Sequence, residues 1–186
     1  MPQLITRWGD DHVAAFAARI AEMNRRLPKV LPRIVNQVGN RAKTQVIRAL
    51  TRQTGLPRKT IVKAIGKPAT ARPGRLAYEM QTAGGNIRLK YVKPKETRAG
   101  VKASPWGKRT LFPGTFILGG AFPDRYGLVR DGHVMRRIGG RKLTFARSGM
   151  FIPVEMTTGA TAAAFEQTAA PLLKTRVEAA LVKLVP

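Results

Sequence analysis

An α+β fold is what the 186-residue sequence predicts, and three observations carry that reading. Apolar residues recur at spacings of three and four through about residue 65. They alternate singly between about residues 76 and 156, and helical spacing returns after residue 157. Helices, then antiparallel strands, then a closing helix is the order this implies. No internal repeat or low-complexity tract interrupts it.

Asp10 and Asp11 can cap a first helix, because a carboxylate accepts the free N–H groups there and suits the positive dipole end. Val13, Phe16, Ala17, Ile20 and Met23 or Asn24 follow as its apolar stripe, and Pro28 is expected to interrupt it after Leu27. Residues 1–27 are thus expected to form a helical arm. Residues 28–186 are expected to form one α+β domain, with helices over 28–66, strands over 75–156 and a closing helix over 158–184.

The long basic helix of that domain runs from Pro28 or Pro32 to Gln53, with Leu31, Val35, Val38, Ala42, Val46 and Ala49 on its apolar stripe. At about 100° per residue, Lys29, Arg33, Arg41, Arg48 and Arg52 fall on a separate arc. Gly55 suits the left-handed position that ends a helix. Leu56 to Ile65 reads as a short helix with Leu56, Ile61, Val62 and Ile65 inward and Arg58, Lys59 and Lys63 outward. Residues 66–74 have the composition of a linker.

Leu76, Tyr78 and Met80, then Ile87, Leu89 and Tyr91, alternate with polar residues on either side of Gly84-Gly85-Asn86, which predicts a hairpin. Further strands are expected at 99–104, 113–118, 127–130, 133–138 and 150–156, with a turn at Asp131-Gly132. The closing helix, capped by Thr157, Thr158 or Thr161, presents Phe165, Ala169, Leu172, Leu173, Val177, Leu181 and Leu184, with Pro171 expected to kink or split it.

Charge is the sequence's strongest functional signal. The formal net charge is +24, and between Met23 and Tyr78 there are fourteen Lys and Arg and not one Asp or Glu. Pairing at i,i+4 cannot neutralise such a run, so it is either a solvated face or a surface meant for a polyanion or an acidic wall. We favour the second reading for Arg33, Arg41, Arg48, Arg52, Arg58, Lys59 and Lys63. Contacts of this kind go to phosphates, without base sequence preference, and weaken with salt.

Chemistry is poorly represented. There are no cysteines, and the two histidines, His12 and His133, sit in unrelated contexts, so neither a metal site nor any cofactor is expected. Ser148, His133 and Asp131 could be drawn as a triad, but no nucleophile-elbow glycines surround the serine. Gly107-Lys108-Arg109-Thr110 lacks the upstream glycine of a phosphate-binding loop and reads as a basic loop. The ten acids offer no paired-carboxylate signature. We therefore expect no catalytic residues and no enzyme. The start of the chain lacks an apolar signal core, and no stretch is long enough to span a membrane, so a cytoplasm-like compartment is expected.

Four segments, in order, resemble the tailed-phage minor tail protein Z family. They are Thr54-Gly55-Leu56 behind the basic helix, Phe112-Pro113-Gly114-Thr115-Phe116-Ile117, His133-Val134-Met135-Arg136-Arg137, and Ile152-Pro153-Val154-Glu155 before the closing helix. The match covers residues 28–184, and the stretches 119–131 and 139–149 are longer than a compact member needs. The resemblance implies a virion protein of the tail or neck, a tail-completion and head–tail joining protein assembled in the host cytoplasm. It implies a homo-oligomeric ring, commonly six-fold, around the DNA channel at the head-proximal end of the tail. Its implied partners are tail terminator or tail tube proteins, head-completion or connector proteins and the passing genomic DNA. Phe112, Phe116, Phe122 and Tyr126 are then the expected interface anchors, since aromatics bring large area at low entropic cost. The alternative is a basic, non-specific nucleic-acid-binding protein of another fold.

Overall fold

The computed structural model describes residues 10–184 except Phe122, Val129 and Arg141. Helix α1 spans Asp10–Thr54 and α2 spans Arg58–Ile65. Among the described residues ten short strands follow: β1 Asn86–Arg88, β2 Lys95–Thr97, β3 Gly100–Ala103, β4 Thr110–Pro113, β5 Thr115–Phe116, β6 Leu118–Gly119, β7 Tyr126–Gly127, β8 Met135–Arg137, β9 Leu143–Phe145 and β10 Arg147–Phe151. Helices α3 (Ile152–Thr157) and α4 (Gly159–Leu184) close the chain. The α+β class is as expected. No helix among the described residues is long and apolar enough to cross a membrane.

The chain divides into two compact units. One comprises the described parts of Met1–Arg41, Ala69–Glu79 and Ala169–Pro186, the other Ala42–Pro68 and Met80–Thr168.

In the first unit, the break expected at Pro28 does not occur, because Pro28 and Pro32 both lie inside α1. An interior proline forfeits one helical hydrogen bond and strains the preceding turn, at about 3 kcal/mol or more. Spaced four apart, the two prolines share one helix face. Pro32 is buried, whereas Pro28 is exposed at an open cavity that it lines with Leu27, Leu31, Pro73, Gly74 and Leu76. The supposed linker is also structured. Ala69 and Glu79 exchange backbone hydrogen bonds of 2.9 Å, and Arg72 and Arg75 pair inside them at 3.0 and 2.9 Å. The Asn36 amide clamps this loop, donating to the Ala71 carbonyl (2.9 Å) and accepting its N–H (2.7 Å). Gly39 is required by close approach, since a Cβ there would stand 2.3 Å from the Tyr78 ring. The Tyr78 hydroxyl donates to Asn40 Oδ1 at 2.8 Å, and burial raises its pKa. The caps expected at Asp10 and Asp11, and the stripe residues Val13 and Phe16, have side chains outside the described set.

The second unit holds the main core. Val46, Ile47 and Leu50 of α1 pack with Leu56, Ile61 and Ile65 around α2, and with Leu89, Val92, Val101, Ala103, Val134, Ala146, Met150 and Ile152. Over its whole length α1 buries Ile34, Val38, Ala42, Val46, Ile47 and Leu50, so the apolar face is rotated from the expected stripe, and Leu31, Val35 and Ala49 lie at its margin. Val62 was expected inward but is 40% exposed.

The strands form four small antiparallel sheets: β1-β10, β2-β3-β4, β5-β8-β9 and β6-β7. The hairpin expected around Gly84-Gly85-Asn86 is absent. β1 pairs instead with distant β10, in the register Asn86↔Phe151 and Arg88↔Arg147. An irregularity between those pairs accompanies the Ser148 hydroxyl donating to the Ile87 carbonyl at 2.9 Å. Residues 152–156, expected as strand, are α3. Pro153 sits in its first turn, where the missing N–H costs nothing. Asp131-Gly132 does turn, with φ of 47° and 68° and the His133 N–H donating to the Arg130 carbonyl at 2.9 Å. The strands on either side of it pair elsewhere. Pro171 lies within α4 without ending it.

Candidate polyanion interface

The joint between α1 and α2 follows from three residues. Thr54, fully buried, donates its hydroxyl back to the Leu50 carbonyl at 2.6 Å and accepts the Leu56 N–H at 3.3 Å. Gly55 adopts φ 70°, as a helix-ending glycine does. Pro57 then precedes the first turn of α2. Arg52 stands three residues before Gly55, and Arg58 and Lys59 stand just after it, all exposed.

The loop after β3 packs onto this joint, with Gly107 N only 3.2 Å from where a Gly55 Cβ would lie. It brings Lys108 and Arg109, both exposed, to the same corner, together with Trp106. Trp106 is 41% exposed and holds the left-handed conformation φ 51°, ψ 29°, which a bulky side chain rarely adopts. Its indole N–H donates to Glu155 Oε1 at 2.7 Å. Gln53 donates its amide to Glu155 Oε2 at 2.8 Å and accepts from the Thr161 hydroxyl (2.9 Å) and N–H (3.1 Å). So Glu155, the carboxylate of this corner, is engaged by an indole and an amide and neutralises no cation by contact.

All seven expected cationic residues are exposed. Arg48, Arg52, Arg58, Lys59 and Lys63 belong to the second unit, whereas Arg33 and Arg41 belong to the first. Among the described residues none of the seven forms an ion pair. The first turn of α2 has no acid and no side-chain cap, yet begins Arg58-Lys59, so its positive dipole end is reinforced rather than opposed. The corner as a whole is net positive, with Arg52, Arg58, Lys59, Lys108 and Arg109 exposed against the one carboxylate of Glu155.

The expected aromatic anchors separate. Phe112 on β4 is half-buried and packs against the core. Phe116 and Tyr126 meet in an open cavity of about 320 Å³ with Leu118, Leu128 and Leu143, Tyr126 being 62% exposed. Phe122 lies outside the described residues. Glu96 braces this region, its Oε2 accepting the Ile117 and Leu118 N–H groups at 3.0 and 2.9 Å while its Oε1 pairs with Arg125.

Ser148, His133 and Asp131 do not assemble. The serine hydroxyl serves the backbone of Ile87 and Met150, and Asp131 is exposed in its turn. His133 meets Phe145 in a tilted contact, with ring centroids 4.9 Å apart and planes at 58°, and Arg88 covers that same Phe145 ring at 4.1 Å. Burial foremost, then Lys90 and Arg88, lower the His133 pKa, against Asp131. Among the described residues no three His, Cys, Asp or Glu side chains cluster as metal ligands.

Sequence reasoning missed Trp106, Gln53, Glu155 and the Glu96–Arg125 pair. Pro105 and Gly107 bracketing a tryptophan was the available sign of a turn that displays it. The others depend on contacts between residues distant in sequence, for which no local signal exists. Comparison with protein-family models, with curated proteins and with solved structures finds no match to this chain.

Proposed function

We propose that this chain is a non-enzymatic structural protein of a phage tail or neck, a tail-completion protein that assembles as a ring around the DNA channel. One observation carries the reading: seven exposed cations on α1 and α2 have no carboxylate partner among the described residues, which leaves their charge open to a polyanion from outside. Copies in a ring would line a channel with dispersed Arg and Lys, gripping phosphates loosely enough for the genome to leave. Exposed apolar side chains such as Tyr126, Phe165 and Leu173 offer area for neighbouring copies and for tail or head partners.

The test is the triple variant Arg41→Glu, Arg48→Glu, Arg52→Glu. Each site is exposed, so unfolding stability should change by only about 0.5 kcal/mol per site. Affinity for duplex DNA should fall, and the slope of its logarithm against log salt should flatten by up to about three. Ring formation by the purified wild-type chain, seen by electron microscopy, together with loss of infectious particles in the variant, would support the proposal. Normal infectious yield from the variant would refute it. A chain that stays monomeric yet binds nucleic acid tightly at physiological salt would be the basic nucleic-acid-binding protein instead.

A further inference from the structure

We propose that the corner formed by the α1–α2 joint and the Trp106 loop is a binding site for single-stranded nucleic acid. One unpaired base stacks on the exposed face of Trp106, and the flanking phosphates sit among Arg52, Arg58, Lys108 and Arg109. This rests on the reading above that the basic surface meets nucleic acid, and it names which surface and which form.

Three independent observations point there. Trp106 holds a left-handed backbone at φ 51°, a strained state for a bulky residue that persists only where surrounding structure enforces it. That enforcement is visible: Glu155 fixes the indole N–H at 2.7 Å, Gln53 fixes Glu155 at 2.8 Å, and the loop backbone lies against Gly55. Trp106 is nevertheless 41% exposed, and a Cβ on Gly149 would stand only 3.9 Å from the far edge of its ring, where the glycine leaves no side chain to close over it. A core tryptophan would be buried, and a merely decorative one would not be tethered through three residues.

The charge around it selects the ligand. Arg52, Arg58, Lys108 and Arg109 are exposed and have no carboxylate partner among the described residues. A rigid aromatic platform among cations is how single strands are held without sequence preference, since every base has a π-face. An acidic protein surface would use the cations but leave the presented ring without a purpose. Duplex DNA keeps its bases stacked inside and would likewise use only the cations.

The experiment uses the full chain carrying Trp8→Phe, so that Trp106 is the sole fluorophore among its tryptophans. It is titrated with oligo(dT), with a duplex of similar length, and with poly-glutamate, binding being followed separately by anisotropy of labelled ligands. Oligo(dT) should quench Trp106, and the duplex should bind without quenching. Trp106→Ala should weaken oligo(dT) about tenfold and leave the duplex within about twofold. Trp106→Phe, which keeps a ring, should recover most of that loss. Oligo(dT) binding with no quenching, an equal loss for oligo(dT) and duplex in Trp106→Ala, or equal quenching by poly-glutamate would each overturn the stacking site. In those cases retained duplex affinity would leave the basic-surface reading standing. Failure of both nucleic acids to bind would overturn the two together.

Discussion

The α1 segment from Ala42 to Thr54 and helix α4 carry apolar residues at similar helical spacing, yet the fold treats them differently. The α1 segment buries Ala42, Val46, Ile47, Leu50 and Thr54, each below 5% exposure. In α4 only Thr161 is fully buried among the described residues, while Phe165, Leu173 and Leu181 stay more than a third exposed and Val182 reaches 73%. Periodicity shows that a helix has an apolar face. It does not show that the same chain supplies the cover. The first segment ends in a joint that folds α2 and the strands back over it, whereas along α4 Leu172 and Val177 are half-buried and Phe165, Leu173 and Leu181 are exposed.

The largest effect should come from breaking the covered side. Leu50→Ala, at a site with no exposure, should cost about 2–5 kcal/mol in denaturant unfolding. Leu173→Ala, starting 37% exposed, should cost under about 1 kcal/mol in the monomer. Equal losses would erase the distinction between the helices. A Leu173→Ala cost that grows with protein concentration would instead show that neighbouring copies cover α4.

Gln53→Ala should come next, at about 1–3 kcal/mol, because it unpairs the buried Thr161 and one oxygen of Glu155. It should also loosen Trp106, read as a shift in its emission towards that of solvated indole. Unchanged stability and emission would mean that α1 and α4 are not coupled through this amide.

The smallest effect concerns pH. The folded chain lowers the pKa of His133, so as pH falls below about 6.5 the unfolded chain takes up the proton first. Stability present at neutral pH is therefore lost as pH drops through that value towards the folded pKa. His133 is half-buried and is the one group involved, with Asp131 opposing the effect of burial, so the change should be modest. His133→Phe should reduce the difference between urea midpoints at pH 7.5 and 5.5, and an identical difference in both proteins would remove His133 from the account.

Much of the local structure was legible in the sequence. The Thr54-Gly55-Leu56 joint, the short helix after it, the Asp131-Gly132 turn and the closing helix all rest on side chains that act on their own neighbouring backbone. The misreadings share a cause. Pro28 predicts a helix break and residues 150–156 a strand, but α1 runs on through Pro28, and Pro153 takes a first-turn position in α3 where its missing N–H costs nothing. The Gly84-Gly85-Asn86 hairpin was read from a suitable turn, but Asn86–Arg88 found a better edge in β10, about sixty residues away. At the candidate site the cations were legible because charge is written in composition. The ring among them was not, because its display depends on Glu155 and Gln53.

What the sequence alone determined is therefore an α+β order and an uncompensated positive charge on its early helices, since periodicity and net charge need no partner residues to be read. Only the tertiary structure decided which apolar faces are covered, which strands pair and where Trp106 stands. Each of those is set by residues far apart along the chain, competing for the same contacts, and local preference has no access to the outcome.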